Sequence, residues 1–359
     1  MRVVARLLAA FVASCIPLAT ALPAGASAVP GPLAAFQAQL AAMTMRAPGH
    51  VALEVQDVAT GATTGINEFA EMPAASTIKI PVMVEVFRQL ELGRFDLNRT
   101  IHLENTDRDS GWGDLCDMPA GSGYSVSNLL ALMIDKSDNT ATNMLIRLVG
   151  RQRINATMAG LGLTHTRLAD FIRSTGPIRD ALRSSPADLT HLLTAMARDQ
   201  LIDGWSSRAM IAILERQTHN SLLPEPLPPS TPIAHKTGTL HDTLNDVGIV
   251  YEGSDPYVIA VMTTALPDLD AGRVFIRGVS RMAYTALGRF TAWRTANDEP
   301  GLFPTADLRM WTPSQPASAA PSADTTLPAA LPETDENPVV PAPVTAPEAT
   351  PAPLPLRFR

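Results

Sequence analysis

"AASTIKIPVMVEVF", residues 74–87, places Ser76 and Lys79 three positions apart at the head of an apolar run with helical spacing. Residues i and i+3 of a helix share a face, so this spacing predicts that the Lys79 amine lies beside the Ser76 hydroxyl. The positive dipole end and free N–H groups of a helix start favour the neutral amine that a general base needs. A Ser cap followed by a solvated Lys produces the same letters, so the motif alone leaves both interpretations open.

Two further short motifs follow in the chain. "SDN" at residues 137–139 lies between two stretches with helical spacing, and "KTG" at residues 236–238 lies inside a strand-like run. Taken singly, they are also typical of a helix cap and of a strand entering a turn. By ordinary residue frequencies each triplet arises by chance in fewer than about one chain in ten, so all three motifs in this order arise in about one in a thousand.

Lysine usage supports the same interpretation. The chain has only three lysines, Lys79, Lys136 and Lys236, against 25 arginines. Two of the three belong to the motifs. Arginine stays protonated in proteins whereas a desolvated lysine loses its proton, which gives a chemical reason for a lysine at position 79.

The N-terminal residues 1–28 have the pattern of a secretory signal. Arg2 and Arg6 precede an apolar run from residue 7 to about residue 22, and small residues follow up to Ala28. We predict cleavage after Ala28 and an exported protein of the bacterial envelope, periplasmic or extracellular. The letters "VASC" ending at Cys15 also fit a lipoprotein cleavage box, which would leave a lipid anchor at Cys15.

The charge balance excludes some partners. Without residues 1–28 the chain keeps 26 basic and 35 acidic residues, a formal charge of −9. Such an acidic protein is a poor candidate for nucleic acid or anionic lipid. No apolar stretch outside the signal approaches the ~18 residues of a membrane span, so a soluble protein is expected.

The C-terminal residues 312–359 contain twelve prolines and one aromatic residue, Phe358. A segment of this composition cannot bury a core, so we predict a disordered tail that serves as a spacer. The folded domain is therefore expected to span residues 29–311.

Within that span the periodicity changes twice. A helical run at residues 32–43 leads into alternating residues at 50–69, which predict a hairpin. From Ser76 to about Leu201 the spacing is mostly helical, with Ser125 as a predicted cap and Gly150 as a helix stop.

Strand signals return after residue 232 and a closing helix is predicted at about 273–293. Sheet segments from both ends of the chain, with helices between them, predict an α+β domain. A helical lobe inserted at about residues 95–205 would leave a cleft where it meets the sheet.

From about Gly49 to Trp293 the chain resembles the class A β-lactamases and their penicillin-binding relatives. The similarity extends past the three motifs to "STIKIPV", "SDNTATNML" and "AHKTGT". This resemblance implies an antiparallel sheet flanked by helices plus the inserted helical lobe. It also implies a monomer without metal or cofactor, acting on a small-molecule β-lactam or a peptidoglycan stem peptide.

The resemblance assigns four catalytic residues. Ser76 would be the acylated nucleophile and Lys79 its base or proton partner. Ser137 would pass a proton to the departing amide nitrogen, and Lys236 would supply a compact cation. The backbone N–H groups of Ser76 and Thr239 would form the oxyanion hole, worth about 3 kcal/mol per donor in related chemistry.

It also assigns the residues that bind substrate. Asn139 would contact the substrate and hold Lys79. Thr237, Gly238 and Thr239 would also bind the substrate, and Thr237 and Thr239 would bind its carboxylate together with Lys236. Trp112 matches an aromatic residue that walls the family's cleft, although an ordinary half-buried loop aromatic fits the sequence as well.

One departure from the family concerns the Ω-loop, whose glutamate activates the deacylating water in class A enzymes. Aligning the letters "TRL" at residues 166–168 with the opening of that loop puts Ile172 at the glutamate position. The only acids here are Asp170 and Asp180, for which a structural salt bridge is the favoured interpretation. Asp170 is the candidate deacylation acid, and slow clearance of the acyl-enzyme is expected.

Three functions remain open from the sequence. The first is a serine acyl-transfer hydrolase of class A β-lactamase type. The second is a D-alanyl-D-alanine peptidase that uses the same residues on peptidoglycan. The third is an envelope protein that binds penicillin without turnover. The chain has neither a G-x-S-x-G elbow nor an H-x-x-x-H pair, so α/β-hydrolase and zinc-peptidase chemistry lack support.

Overall fold

The computed structural model describes residues 31–174, 181–252 and 255–303. All of them lie in one compact unit. The predicted signal peptide with Cys15, the predicted tail at 312–359 and Asp180 lie outside the described residues. None of the helices within the described ranges has the length and apolar character of a membrane span.

The core of the fold is a five-stranded antiparallel sheet. The strands of the described residues are β1 (His50–Asp57), β2 (Thr63–Ile66), β3 (Met72–Pro73), β4 (Thr100–His102), β5 (Gly123–Ser125), β6 (Arg167–Leu168), β7 (Leu182–Ser184), β8 (Ile233–Leu240), β9 (Thr243–Glu252) and β10 (Asp255–Thr264). The sheet has the order β2-β1-β10-β9-β8. β1 and β2 form the predicted hairpin, with Leu53 opposite Ile66.

Eight α-helices occur in the described ranges. They are α1 (Gly31–Thr44), α2 (Lys79–Glu91), α3 (Val126–Asp135), α4 (Asn139–Val149), α5 (Arg151–Gly160), α6 (Pro186–Ala197), α7 (Gly204–Leu214) and α8 (Leu269–Ala296). The predicted α+β class is confirmed.

Strand β10 shows how the sheet separates two hydrophobic cores. Successive side chains of a strand point to opposite faces. One set packs with α2–α7 and the other with α1 and α8; the first set is Val258, Ala260 and Met262 and the second is Tyr257, Ile259 and Val261. Helices therefore cover both faces of the sheet, and the larger cluster lies on the side that carries the motif residues.

Predicted helix boundaries are partly confirmed. Ser125 caps α3 by accepting a hydrogen bond from the Asn128 N–H, and Gly150 ends α4 with φ +87°. The closing helix begins earlier than predicted, at Leu269, because the Asp268 side chain caps it.

The predicted helical region from Ser76 to Leu201 is interrupted by β4, β5, β6 and β7. Each of these strands has only two or three residues, too few to show a period of two in the sequence.

Candidate active site

Ser76 lies in a short 3₁₀ turn, Ala75–Ile78, that runs directly into α2. Its side chain caps neither helix, which removes the cap interpretation of this serine. The sequence predicts that Ser76 and Lys79 lie side by side on a helix. They do, but through a 3₁₀ turn, in which the side chains of residues i and i+3 are eclipsed. Lys79 Nζ lies 3.1 Å from Ser76 Oγ.

The Lys79 amine is completely buried and has four oxygen neighbours. Nζ lies 2.5 Å from the Ser137 carbonyl, 3.0 Å from Ser137 Oγ and 2.7 Å from Asn139 Oδ1. The carbonyl and amide oxygens can only accept, whereas the hydroxyls of Ser76 and Ser137 can also donate. A neutral amine fits this shell, because it donates twice to the two carbonyl-type oxygens and accepts from a hydroxyl.

Electrostatics favour the same protonation state. Burial lowers the pKa of Lys79 well below its usual value, and the nearby Lys236 cation lowers it further. Asp138 and Asp109 oppose these effects without reversing them. Lys79 is thus suited to take a proton from Ser76.

Ser137 links the two motif lysines. Its backbone has φ +57°, a left-handed conformation that is costly for a residue with a Cβ. In return, Ser137 Oγ lies 3.0 Å from Lys79 Nζ and accepts a hydrogen bond from Lys236 at 3.1 Å. One hydroxyl therefore lies between a candidate base and a candidate cation.

Lys236 extends from β8 and is fully buried. Burial lowers its pKa to about 7, against the opposing effect of the Asp246 carboxylate. Asp246 in turn accepts a hydrogen bond from His235 at 2.8 Å. This buried pair joins β8 to β9 at the residue next to Lys236. An anion in the cleft would raise the pKa of Lys236 and keep it charged.

Asp109 is a residue of this site that the sequence did not predict. Its Oδ1 accepts from Asn139 Nδ2 at 2.7 Å, and its Oδ2 accepts from the Ser174 N–H at 2.6 Å. Burial raises the pKa of Asp109, but these hydrogen bonds outweigh it and hold the pKa below its usual value. The charged carboxylate fixes the Asn139 amide so that its oxygen faces Lys79. Asp109-Ser110-Gly111 is typical of a turn, but no sequence spacing links it to Asn139.

Gly238 allows β8 to lie directly against the nucleophile. A Cβ built on Gly238 would lie 2.9 Å from the Ala74 carbonyl oxygen and 3.2 Å from the Ser76 nitrogen. Asn245, opposite Gly238 on β9, donates to the same Ala74 carbonyl at 3.1 Å. The strand and the 3₁₀ turn are thus fixed to each other at the point where the oxyanion hole is predicted.

These elements enclose a cleft of about 600 Å³. Motif residues and the predicted aromatic wall line it, namely Ser76, Trp112, Ser137, Asn139, Thr237 and Thr239. The ionisable side chains on the described part of its wall are His219, His241 and Arg273, and no described carboxylate lines it. A cleft of this composition is suited to an anionic ligand.

The glutamate position of the alignment is occupied by an apolar side chain. Ile172 is 3% exposed and lines the cleft. The Asn143 side chain holds the Ile172 backbone at both ends, accepting from its N–H at 2.8 Å and donating to its carbonyl at 3.0 Å. Asp170 is exposed, accepts from the Phe171 N–H and is not among the described residues of the cleft wall. Its role as deacylation acid stays a prediction.

Comparison with known proteins agrees with this geometry. Residues 35–287 match the Beta-lactamase enzyme family. The chain belongs to that family. A β-lactamase of Streptomyces fradiae is 27% identical over 281 residues, which cover 75% of this chain and 92% of that protein.

Two solved structures of the same fold are similar over most of their length. The β-lactamase of Sphaerobacter thermophilus DSM 20745 is 32% identical with a TM-score of 0.65, covering 72% of this chain and 97% of that one. A mutant of PBP-A, solved as an acyl-enzyme complex with penicillin G, is 29% identical with a TM-score of 0.67 and the same coverage. The family and these relatives support a serine hydrolase of β-lactamase type.

Proposed function

We propose that this protein opens the amide bond of β-lactams through an acyl-enzyme on Ser76 and releases the product slowly. The observation that carries the proposal is the buried Lys79 amine, within hydrogen-bond distance of Ser76, Ser137 and Asn139. A neutral amine in this position activates a serine hydroxyl.

Acylation follows from these contacts. Ser76 Oγ attacks the β-lactam carbonyl carbon as Lys79 Nζ takes the hydroxyl proton. The developing oxyanion is stabilised by backbone N–H groups beside Gly238. The carbon–nitrogen bond then breaks, and Ser137 delivers its proton to the departing nitrogen and regains one from Lys79. An ester on Ser76 and a neutral amine on Lys79 remain.

Hydrolysis of that ester needs a base next to the attacking water. Ile172 cannot supply one, and Asp170 is exposed away from the described cleft wall. Removing a positioned general base typically costs about 10²- to 10⁴-fold in rate. We therefore expect one rapid acylation of each molecule, followed by slow steady-state hydrolysis.

Labelling with a fluorescent penicillin tests the proposal. The wild-type protein is expected to incorporate one label per molecule, and Ser76→Ala none, while its circular dichroism spectrum stays unchanged. Label retained by Ser76→Ala would mean a different nucleophile. A linear time course without a burst would show that deacylation is not the slow step.

A second function is favoured by the absence of a carboxylate from the described cleft wall. A D-alanyl-D-alanine peptidase would use the same acylation machinery on the stem peptide of peptidoglycan, consistent with the predicted export to the cell envelope. D-alanine release from a stem-peptide mimic, faster than penicillin turnover, would favour the peptidase. Labelling without release of either product would favour a penicillin-binding protein without turnover.

A further inference from the structure

His219 is a cleft residue to which the three motifs assign no role. It lies in the connection between α7 and β8, and its ring packs edge-to-face on Trp112 with centroids 5.6 Å apart. Its backbone N–H donates to Gln217 Oε1, and Gln217 Nε2 donates to the Ile134 carbonyl at 3.0 Å. These bonds hold the histidine beside the end of α3, two residues before the 137–139 motif begins.

One ring nitrogen of His219 is enclosed by the protein. Nε2 is buried and has no hydrogen-bond partner of normal geometry among the described residues. The Lys136 main chain is the described group that hydrogen-bonds to the ring. Because His219 also lines the cleft, the other nitrogen, Nδ1, is the one through which the ring would bond to a ligand.

The charges around His219 indicate what kind of ligand that is. Lys236 of β8, Lys136 at the end of α3 and His235 of β8 are the charged or titratable groups that act on it. All are basic, and no described carboxylate lines the cleft. Basic surroundings of this kind attract an anionic ligand.

Resting on the proposed β-lactam function, we propose that His219 is a specificity-determining residue that donates a hydrogen bond to the carboxylate of the acyl donor, beside Lys236. The imidazole would discriminate between β-lactams with a free carboxylate and neutral ones. Trp112 fixes the ring on one side, so the ring position is set before the substrate arrives.

The proposal implies a pH-dependent preference. Burial and the Lys236 cation lower the pKa of His219 below its usual 6.5, although the Lys136 main chain raises it slightly. The free protein therefore carries a neutral His219 at pH 7, and a bound carboxylate favours the protonated ring. Preference for a carboxylate substrate thus rises as the pH falls through this lowered pKa.

The test compares benzylpenicillin with its methyl ester. Second-order acylation rate constants for both are measured between pH 5 and pH 8, and their ratio is taken at each pH. Titration of Lys79 affects both substrates alike and cancels in the ratio. At pH 5 the wild-type ratio is expected to exceed that of His219→Asn by about tenfold, the effect of one charge-assisted hydrogen bond. At pH 8 the two ratios are expected to be similar.

His102 provides a control, because it is exposed and is not among the described residues of the cleft wall. His102→Asn is expected to keep the wild-type ratio at every pH. A His219→Asn ratio equal to wild type at pH 5 would overturn the proposal, as would an equal loss in His102→Asn. If His219→Asn fails to fold, His219→Gln replaces it.

The two proposals fail in different ways. If wild-type protein is not acylated by benzylpenicillin at all, the β-lactam function is wrong. If it is acylated but the ratio does not depend on His219, the function stands and the role of His219 is wrong.

Discussion

At the scale of single residues, the site contains two buried lysines that share the Ser137 hydroxyl yet need different protonation states. Lys79 must be neutral to accept a proton, whereas Lys236 must be charged to hold an anion. Burial lowers the pKa of both lysines, but the Lys236 cation lowers that of Lys79 further, whereas the Asp246 carboxylate opposes the lowering at Lys236. Pairs of titratable groups whose pKa values are pushed apart are typical of catalytic sites.

The first prediction concerns Lys79. We expect Lys79→Arg to be nearly as slow in acylation as Lys79→Ala, at least about 10²-fold below wild type, because arginine keeps the charge but cannot act as a base. The rate of penicillin labelling measures this. Lys136→Arg is the control, since Lys136 is exposed and should tolerate the change. Substantial activity of Lys79→Arg would indicate a purely electrostatic role.

The second prediction is a bell-shaped pH profile for penicillin acylation. On the acid side the rate falls as the pH drops through the pKa of Lys79, because the protonated amine cannot accept the serine proton. On the alkaline side it falls as Lys236, with its pKa lowered to about 7, loses the charge that binds the carboxylate. Lys236→Arg should remove the alkaline decline. A decline at the same pH in this variant would assign it to another group.

At the scale of elements, the site depends on β8 lying against the 3₁₀ turn of Ser76. The third prediction is that Gly238→Ala slows acylation by at least about tenfold, because the added Cβ would lie 2.9 Å from the Ala74 oxygen and push the strand away from the nucleophile. Gly160→Ala is the control, since a Cβ there meets nothing within 4 Å. Labelling rates and melting temperatures of both variants distinguish a local shift from unfolding.

The loop that carries Ile172 gives the fourth prediction. Asn143 holds the Ile172 backbone on both sides, so a glutamate at this position would extend into the cleft from a fixed point. We expect Ile172→Glu to raise the deacylation rate by about 10²-fold and leave the acylation burst unchanged. Ile172→Gln has nearly the same size but no base, and should stay slow. Equal deacylation of the two variants would mean that this position does not serve the hydrolytic water.

Some features of these elements were predictable from the sequence and others were not. The hairpin, the cap at Ser125 and the stop at Gly150 depend on local residues and were predictable. The contacts of Asp109 with Asn139 and of His219 with Trp112 join residues far apart in the chain, and neither pair has a spacing that a sequence pattern reveals. Motif order predicted which residues belong to the site, whereas the side chains that orient them required the fold.

At the scale of the whole molecule, an acidic chain with a formal charge of −7 presents an active-site wall whose described ionisable groups are all basic. The helical side supplies Ser76, Lys79 and Ser137, and the edge strand β8 supplies Lys236. The cleft therefore exists only when both cores are folded, so global stability and acylation are expected to be lost together on heating.

The last prediction concerns how much of the C-terminal part of the chain the active site and the fold require. The hydrogen bonds and strand pairings described for the motif residues lie between residues 73 and 247, so removing 312–359 is expected to leave both the labelling rate and the melting temperature unchanged. Residues 302 and 303 are different, because both backbone N–H groups donate to the Ala59 carbonyl and the Arg198 guanidinium lies 3.5 Å from the Phe303 ring centroid.

A chain that ends at Gly301 loses these bonds. It should unfold about 2–6 °C lower than the chain that ends at residue 311, since the lost contacts contribute on the order of 1–2 kcal/mol. At 25 °C both shortened chains should be labelled by penicillin at the wild-type rate. Slower labelling of the chain that ends at residue 311, with an unchanged melting temperature, would show that the C-terminal segment contributes to the site itself.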